Sequence, residues 1–129
     1  MNITELLLNL HECTAGDFDH LEKFRFEGVY IICDSNNEIV YIGSAYARTI
    51  EIRLKQYISA TDSGNTLGKT IAKKLAGSTS YDDKAKAKIS CAVKKIKDFK
   101  VYAIKHKDLE YDLIKLAQPT YNNNGKGED

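Results

Sequence analysis

Gly28-Val29-Tyr30-Ile31-Ile32-Cys33-Asp34-Ser35-Asn36-Asn37-Glu38-Ile39-Val40-Tyr41-Ile42-Gly43 is the stretch whose reading decides the fold. Val29 to Cys33 and Glu38 to Ile42 are rich in β-branched and aromatic residues. The polar run Asp34 to Asn37 between them is of the kind that closes a hairpin, so two antiparallel strands are expected. If the hairpin centres between Ser35 and Asn36, or between Asn36 and Asn37, then Tyr30 and Tyr41 share a face, because strand side chains alternate with period two. A one-residue slip would part them. Gly43 ends the second strand without a side chain, which lets another group approach the backbone closely. Beyond it Ile50, Leu54 and Tyr57 recur at helical spacing behind Thr49, a candidate N-cap, and Arg53 and Tyr57 lie one turn apart. Two phenols and a guanidinium can therefore converge.

Much later come Glu110-x-x-Leu113-Ile114 and Pro119-x-Tyr121-Asn122. Together with Gly28-Val29-Tyr30, Tyr41-Ile42-Gly43 and Arg53-Leu54-x-x-Tyr57 they form an ordered set that resembles the GIY-YIG nuclease superfamily over about residues 26 to 122. One tripeptide would be a weak signal; five landmarks in order are specific. The resemblance implies an α+β fold: a small three-stranded, largely antiparallel sheet flanked by helices, to which this chain adds an N-terminal helix and a basic helical insertion. It also implies a metal-dependent DNA endonuclease. Such an enzyme needs an activated water, charge neutralisation at the phosphate and help for the departing oxygen.

By similarity to the family, Glu110 would hold a divalent cation, Mg²⁺ or Mn²⁺, a hard ion for which one carboxylate plus waters and phosphate oxygens is adequate. The ion would stabilise the 3′ leaving oxygen. Arg53 would clamp non-bridging oxygens with its planar fork of donors. Tyr41 would orient or deprotonate the attacking water with Tyr30 beside it, Tyr57 would contact phosphate, and Asn122 would brace the site by hydrogen bonds. A free phenol titrates near pH 10, so a tyrosine base near neutrality needs its phenolate stabilised by Arg53 or by the metal–phosphate charge. The alternative for each tyrosine is core packing with a bonded hydroxyl. One departure stands out: many family members carry Lys directly after the second motif glycine, and this chain has Ser44, followed by Ala45-Tyr46-Ala47-Arg48. Arg48 or His106 is a candidate substitute cation.

With 129 residues, 43% of them hydrophobic, the chain has material for one domain and one core. The expected organisation is a single nuclease-like domain over 1–122, with residues 1–26 as an extension, 61–97 as the insertion and 123–129 as a disordered tail. Cys13, Cys33 and Cys91 show no paired spacing, and no basic-then-apolar leader or long apolar run is present; a cytoplasmic, reducing location and no membrane association are expected. His11, Cys13 and His20 fit no common zinc spacing. Net charge is +1, but it is uneven: residues 1–65 carry five basic against ten acidic side chains, and residues 66–129 carry fourteen against eight. The second half can face a polyanion, DNA, unless its lysines only solvate helix faces.

Asn2 to Glu12 reads as a helix with the stripe Leu6, Leu7, Leu10 behind Thr4 as cap, and Phe18, Leu21, Phe24 and Phe26 as an apolar lead-in to the first strand. Leu67, Ile71 and Leu75 give a helix stopped by Gly77. Within it, Gly64 to Thr70 imitates a phosphate loop but has three residues between its glycines where four are needed, and no nucleotide cofactor is expected. Lys84 to Lys97 reads as one helix with the apolar stripe Ala85, Ile89, Ala92/Val93 and Ile96; its other face holds Lys84, Lys86, Lys88, Lys94, Lys95 and Lys97, of which the last three are candidates for tracking a phosphate backbone. Phe99 to Ile104 alternates as a third strand, with Phe99, Val101 and Ala103 on one side. Asp108 would cap a final helix to about Ala117, closed by Pro119, with Glu110 in its first turn, a position that favours a carboxylate in any helix. With no appended DNA-reading domain, the chain resembles compact stand-alone members, including phage enzymes that break host DNA and some restriction enzymes, and dimerisation is compatible with that type. Two other readings of the same scaffold are a catalytically inactive nucleic-acid-binding module and an accessory subunit.

Overall fold

The computed structural model describes residues 1–7, 12–106 and 109–122. Four strands, β1 (Thr14–Asp17), β2 (Gly28–Cys33), β3 (Ile39–Ala45) and β4 (Lys100–Ile104), form one sheet in the order β1-β4-β2-β3, every pairing antiparallel. The helices are α1 (Ile3–Leu7), α2 (Ile50–Tyr57), α3 (Thr66–Ala76), α4 (Asp83–Lys86), α5 (Ile89–Ile96) and α6 (Glu110–Ala117), with a 3₁₀ turn at Leu21–Phe24. The fold is α+β as expected, but the sheet has four strands rather than three. The added strand, Thr14-Ala15-Gly16-Asp17, has no apolar alternation to betray it. It is a strand because it hydrogen-bonds along β4, Thr14 opposite Ala103 through Asp17 opposite Lys100, so backbone pairing rather than side-chain burial sets its conformation.

β2 lies between β4 and β3 and is buried along its whole length. Its alternation feeds two apolar layers. Tyr30 and Ile32 join Val101, Ala103 and the inner faces of α2, α3 and α5 on one side, with Phe18, Leu21 and Phe24. Val29, Ile31 and Cys33 join Ile42, Ile104 and the inner faces of α1 and α6 on the other. The two motif glycines are steric requirements of this packing. A Cβ on Gly28 would collide with the Ile104 carbonyl oxygen, and one on Gly43 with the ring of Tyr30, its partner across the ladder.

The hairpin reaches its register by two steps. Asp34 organises the turn: its Oδ1 accepts from Asn36 N and Glu38 N at 2.9 and 3.0 Å, its carbonyl accepts from Asn37 N at 3.0 Å, and Asn37 adopts a left-handed φ of 63°. This turn pairs Cys33 with Ile39. Continued without interruption, that register would set Tyr30 and Tyr41 on opposite faces. A bulge intervenes: Ile32 pairs with Tyr41, leaving Val40 as the extra residue, and from there the ladder runs Tyr30 to Gly43 and Gly28 to Ala45. The resulting register centres between Asn36 and Asn37, and both tyrosines face one layer.

Thr49 caps α2 as expected, its hydroxyl accepting from Ile52 N at 3.3 Å. Arg25 Nε reaches Glu51 at 3.1 Å, tying the 3₁₀ turn to α2. Asn65 is buried and stitches two helices together: its Nδ2 donates to the Tyr57 and Ser59 carbonyls at 3.0 and 2.9 Å, and its Oδ1 accepts from Gly68 N at 2.8 Å at the start of α3. The Gly64 to Thr70 run is thus a helix cap joined to the end of α2.

Three local expectations are corrected, and a fourth falls outside the described residues. Asn2, not Thr4, serves the first turn of α1, accepting from Thr4 N at 2.9 Å through its side chain, and Leu10 lies outside the described residues. Leu75 is 45% exposed; the buried stripe of α3 is Leu67, Gly68, Ile71 and Ala72, because the helix turns its last apolar residue past the core edge before Gly77 ends it at φ 67°. Lys84 to Lys97 is two helices: at Ala87 and Lys88 ψ drifts toward 0° and Lys88 N bonds the Ala85 carbonyl three residues back, which breaks the regular ladder while the apolar stripe keeps its phase. Asp108 and the tail from residue 123 lie outside the described residues; α6 begins at Glu110, and Leu109 before it offers no side-chain cap.

Candidate active site

A cleft of about 310 Å³ opens along the outer edge of β3, lined by Tyr41, Arg53, Thr66, Glu110, Tyr121 and Asn122 among others. It joins groups from both faces of the sheet. Tyr41 and Arg53 come from the layer of α2 and α3; Glu110 comes from α6, in the layer below. Asn122 makes this possible at the edge itself. Its Oδ1 accepts from Ile42 N and its Nδ2 donates to the Ile42 carbonyl, both at 2.8 Å, while Tyr121 N bonds the Val40 carbonyl at 2.8 Å. The segment after α6 thus satisfies the free edge of β3 where a neighbouring strand would otherwise lie. Both polar ends of the Asn122 amide are occupied by backbone.

The three tyrosines cluster. Tyr30 and Tyr41 rings lie 6.4 Å apart and stacked, Tyr41 and Tyr57 meet edge-on at 5.8 Å, and the Tyr30 and Tyr57 hydroxyls share a hydrogen bond. Tyr30 and Tyr57 are fully buried, whereas Tyr41 is partly exposed at the cleft. Burial raises the pKa of all three well above the ordinary phenol value, and charge repulsion from a neighbouring phenol adds to it, so each is neutral at pH 7.

Arg53 is held from several sides. Nη1 donates to Gln56 Oε1 at 2.7 Å and to the Gly64 carbonyl at 3.2 Å, Nη2 donates to Thr66 Oγ1 at 3.3 Å, and the guanidinium lies 5.2 Å from the Tyr57 ring centroid. Its rotamer is therefore set before any substrate arrives. Glu110 accepts from Ser44 Oγ at 2.8 Å. Arg48, Lys94, Lys95, Lys97 and His106 are exposed and do not line the cleft.

Among the described residues, no three His, Cys, Asp or Glu side chains gather into a ready metal cage. The donor chemistry of the cleft still fits a hard divalent ion, because Glu110 presents a carboxylate beside open space that waters and substrate phosphate oxygens can fill. Sequence reasoning did not find Thr66, which touches Arg53, nor the Ser44 bond to Glu110. Thr66 lies 13 residues after Arg53, beyond any helical or strand spacing, and Ser44 carried only the signal of an unusual residue beside a motif glycine. No helix among the described residues is long and apolar enough to cross a membrane.

No curated protein and no solved structure gives a significant match to this chain. The family model described as GIY-YIG catalytic domain matches residues 26–122, three quarters of the sequence, from just before the first motif glycine to the asparagine that closes the β3 edge, and the chain belongs to the GIY-YIG nuclease superfamily.

Proposed function

We propose that this chain is a divalent-metal-dependent DNA endonuclease, hydrolysing phosphodiester bonds in the cleft along β3. The observation that carries the reading is the meeting in one cleft of a pre-positioned arginine, a partly exposed tyrosine and a carboxylate. Arg53 receives the non-bridging oxygens of the scissile phosphate, and its fixed rotamer means that little freedom is lost as charge builds there. Tyr41 holds the attacking water through its oxygen. Because burial keeps the phenol neutral, Tyr41 orients this water in the resting enzyme and accepts its proton only when positive charge at the phosphate stabilises a phenolate. Tyr30 and Tyr57 fix Tyr41 and Arg53 from behind, and Asn122 holds the strand that carries Tyr41. Glu110 is the residue that would hold a divalent ion, Mg²⁺ or Mn²⁺, and such an ion would supply charge neutralisation and stabilisation for the departing 3′ oxygen. The exposed Lys94, Lys95 and Lys97, with Arg48, give the DNA backbone an electrostatic landing surface outside the cleft. The compact domain acts alone or as a homodimer, with no nucleotide cofactor.

The test is purified chain on supercoiled plasmid with Mg²⁺, Mn²⁺ or chelator, alongside Glu110→Ala and Arg53→Lys. Metal-dependent nicking or linearisation is expected from the parent, none from Glu110→Ala. Arg53→Lys keeps the charge and loses the fork, so its single-turnover rate should fall about 10²-fold while DNA affinity holds. DNA binding without cleavage under every metal condition would replace this reading with that of an inactive binding module.

A further inference from the structure

We propose that Ser44 is the positioning residue for Glu110, fixing the carboxylate so that its unheld oxygen is presented to the cation. The inference rests on the nuclease reading above and extends it to a residue that carries none of the family's landmarks. Ser44 sits one place beyond Gly43 on β3, opposite Val29 in the ladder, and so faces the α6 layer rather than the tyrosines. From there its hydroxyl reaches Glu110 Oε1 at 2.8 Å across 66 residues of sequence, in a partly buried contact. An ionised carboxylate only accepts, so the serine proton is the donor. Among the described residues Ser44 is the one hydrogen-bond partner of Glu110, which leaves Oε2 open. Glu110 lines the cleft and Ser44 does not: the hydroxyl holds the carboxylate from the sheet side and leaves the cleft side to a ligand.

The chemistry explains why a hydroxyl suits this position better than a cationic side chain would. A lysine beside Glu110 would neutralise it and compete with a cation for the same oxygens. A hydroxyl orients the carboxylate and leaves its full charge for the ion, a task that outer partners of metal ligands perform elsewhere.

Mn²⁺ binding to the free chain, followed by water-proton relaxation, tests this without any turnover. Four chains are compared: the parent, Ser44→Ala, Ser44→Thr and Glu110→Gln. Ser44→Ala should weaken Mn²⁺ binding about 10-fold, Ser44→Thr, which keeps the hydroxyl, should restore it, and Glu110→Gln should remove the site. Parent-like affinity in Ser44→Ala while Glu110→Gln loses the ion would overturn the positioning role and leave the nuclease reading intact. Binding that is unchanged in Glu110→Gln, or absent from the parent, would overturn the ligand assignment and the positioning role together. The plasmid assay then judges the nuclease reading on its own.

Discussion

Gly43 offers the sharpest check on how this site is built. Its backbone lies directly beneath the Tyr30 ring: a methyl added there would stand 2.5 Å from Tyr30 Cζ and 2.8 Å from Cε2, and nearer still to the hydroxyl. Carbon atoms rest at about 3.5–4.0 Å, so something must yield. The Tyr30 ring is fully enclosed and its hydroxyl is bound to Tyr57, so it has no free direction to move. Forced overpacking of this kind costs about 1–3 kcal/mol, and breaking the Tyr30–Tyr57 bond adds about 1 kcal/mol. Alanine recovers about 0.5–1 kcal/mol over glycine through its smaller loss of chain entropy. Gly43→Ala should therefore destabilise by about 2 kcal/mol, equivalent to about 7 °C in Tm for a chain of this length. Urea unfolding of Gly43→Ala in the parent and in a Tyr30→Leu background isolates the cause. With the shorter side chain the penalty should vanish, giving a coupling of about 1.5 kcal/mol or more. A single variant within about 0.5 kcal/mol of the parent, or equal penalties in both backgrounds, would refute the argument that the phenol needs a bare backbone beneath it.

Alkaline pH should unfold the chain in a defined way. Tyr30, Tyr41 and Tyr57 stay protonated in the native state, chiefly through burial, where tyrosines of the unfolded chain ionise near pH 10. Stability is thus fully present below that pH and falls above it by up to about 1.4 kcal/mol per pH unit for each phenol. The buried Cys33 thiol, pushed up to about 12, adds a loss of the same sign beginning slightly lower. Urea midpoints from pH 8 to 11 measure the fall, and a flat profile would contradict the burial of these groups. Asn122→Ala should cost about 2–4 kcal/mol, because it strands the Ile42 N–H and carbonyl at the β3 edge; denaturant curves showing less than about 1 kcal/mol would mean that water replaces the amide freely. Neutralising Lys94, Lys95 and Lys97 should flatten the salt dependence of DNA binding by about 0.9 log units for each phosphate that is no longer neutralised. An unchanged slope in a fluorescence-anisotropy titration would reduce those lysines to solvation.

What the sequence made legible was wherever local chemistry decides the outcome. The hairpin strands, the Thr49 cap, the phase of α2 and the two-faced alternation of β4 all follow from side chains acting on their own neighbours in the chain. The features that escaped depend on partners distant in sequence. β1 exists because β4 has an unpaired edge, and Thr14 to Asp17 has little of its own to announce it. The break at Ala87 keeps the apolar phase on either side, so the stripe alone looks continuous. Thr66 reaches Arg53 through a loop whose path is set by Asn65, a buried side chain that binds the end of one helix and the start of the next.

The β3 strand shows how these levels combine into a site. Its turn, closed by the Asp34 side chain, favours a register that would have thrown Tyr41 to the face opposite Tyr30. One inserted residue, Val40, reverses that outcome and sends Tyr41 toward Arg53, while the same alternation sends Ile42 and Ser44 toward α6 and Glu110. A sheet normally keeps the groups on its two faces apart by its own thickness. Here the strand is an edge, closed at Val40 and Ile42 by the Tyr121 backbone and the Asn122 side chain rather than by another strand, so groups from both faces line a single cleft. The carboxylate and the arginine–tyrosine cluster therefore face one cleft although they belong to different hydrophobic layers. Each layer can be repacked around its own half of the site, and the relative placement of the halves then rests on the backbone between Val40 and Ser44.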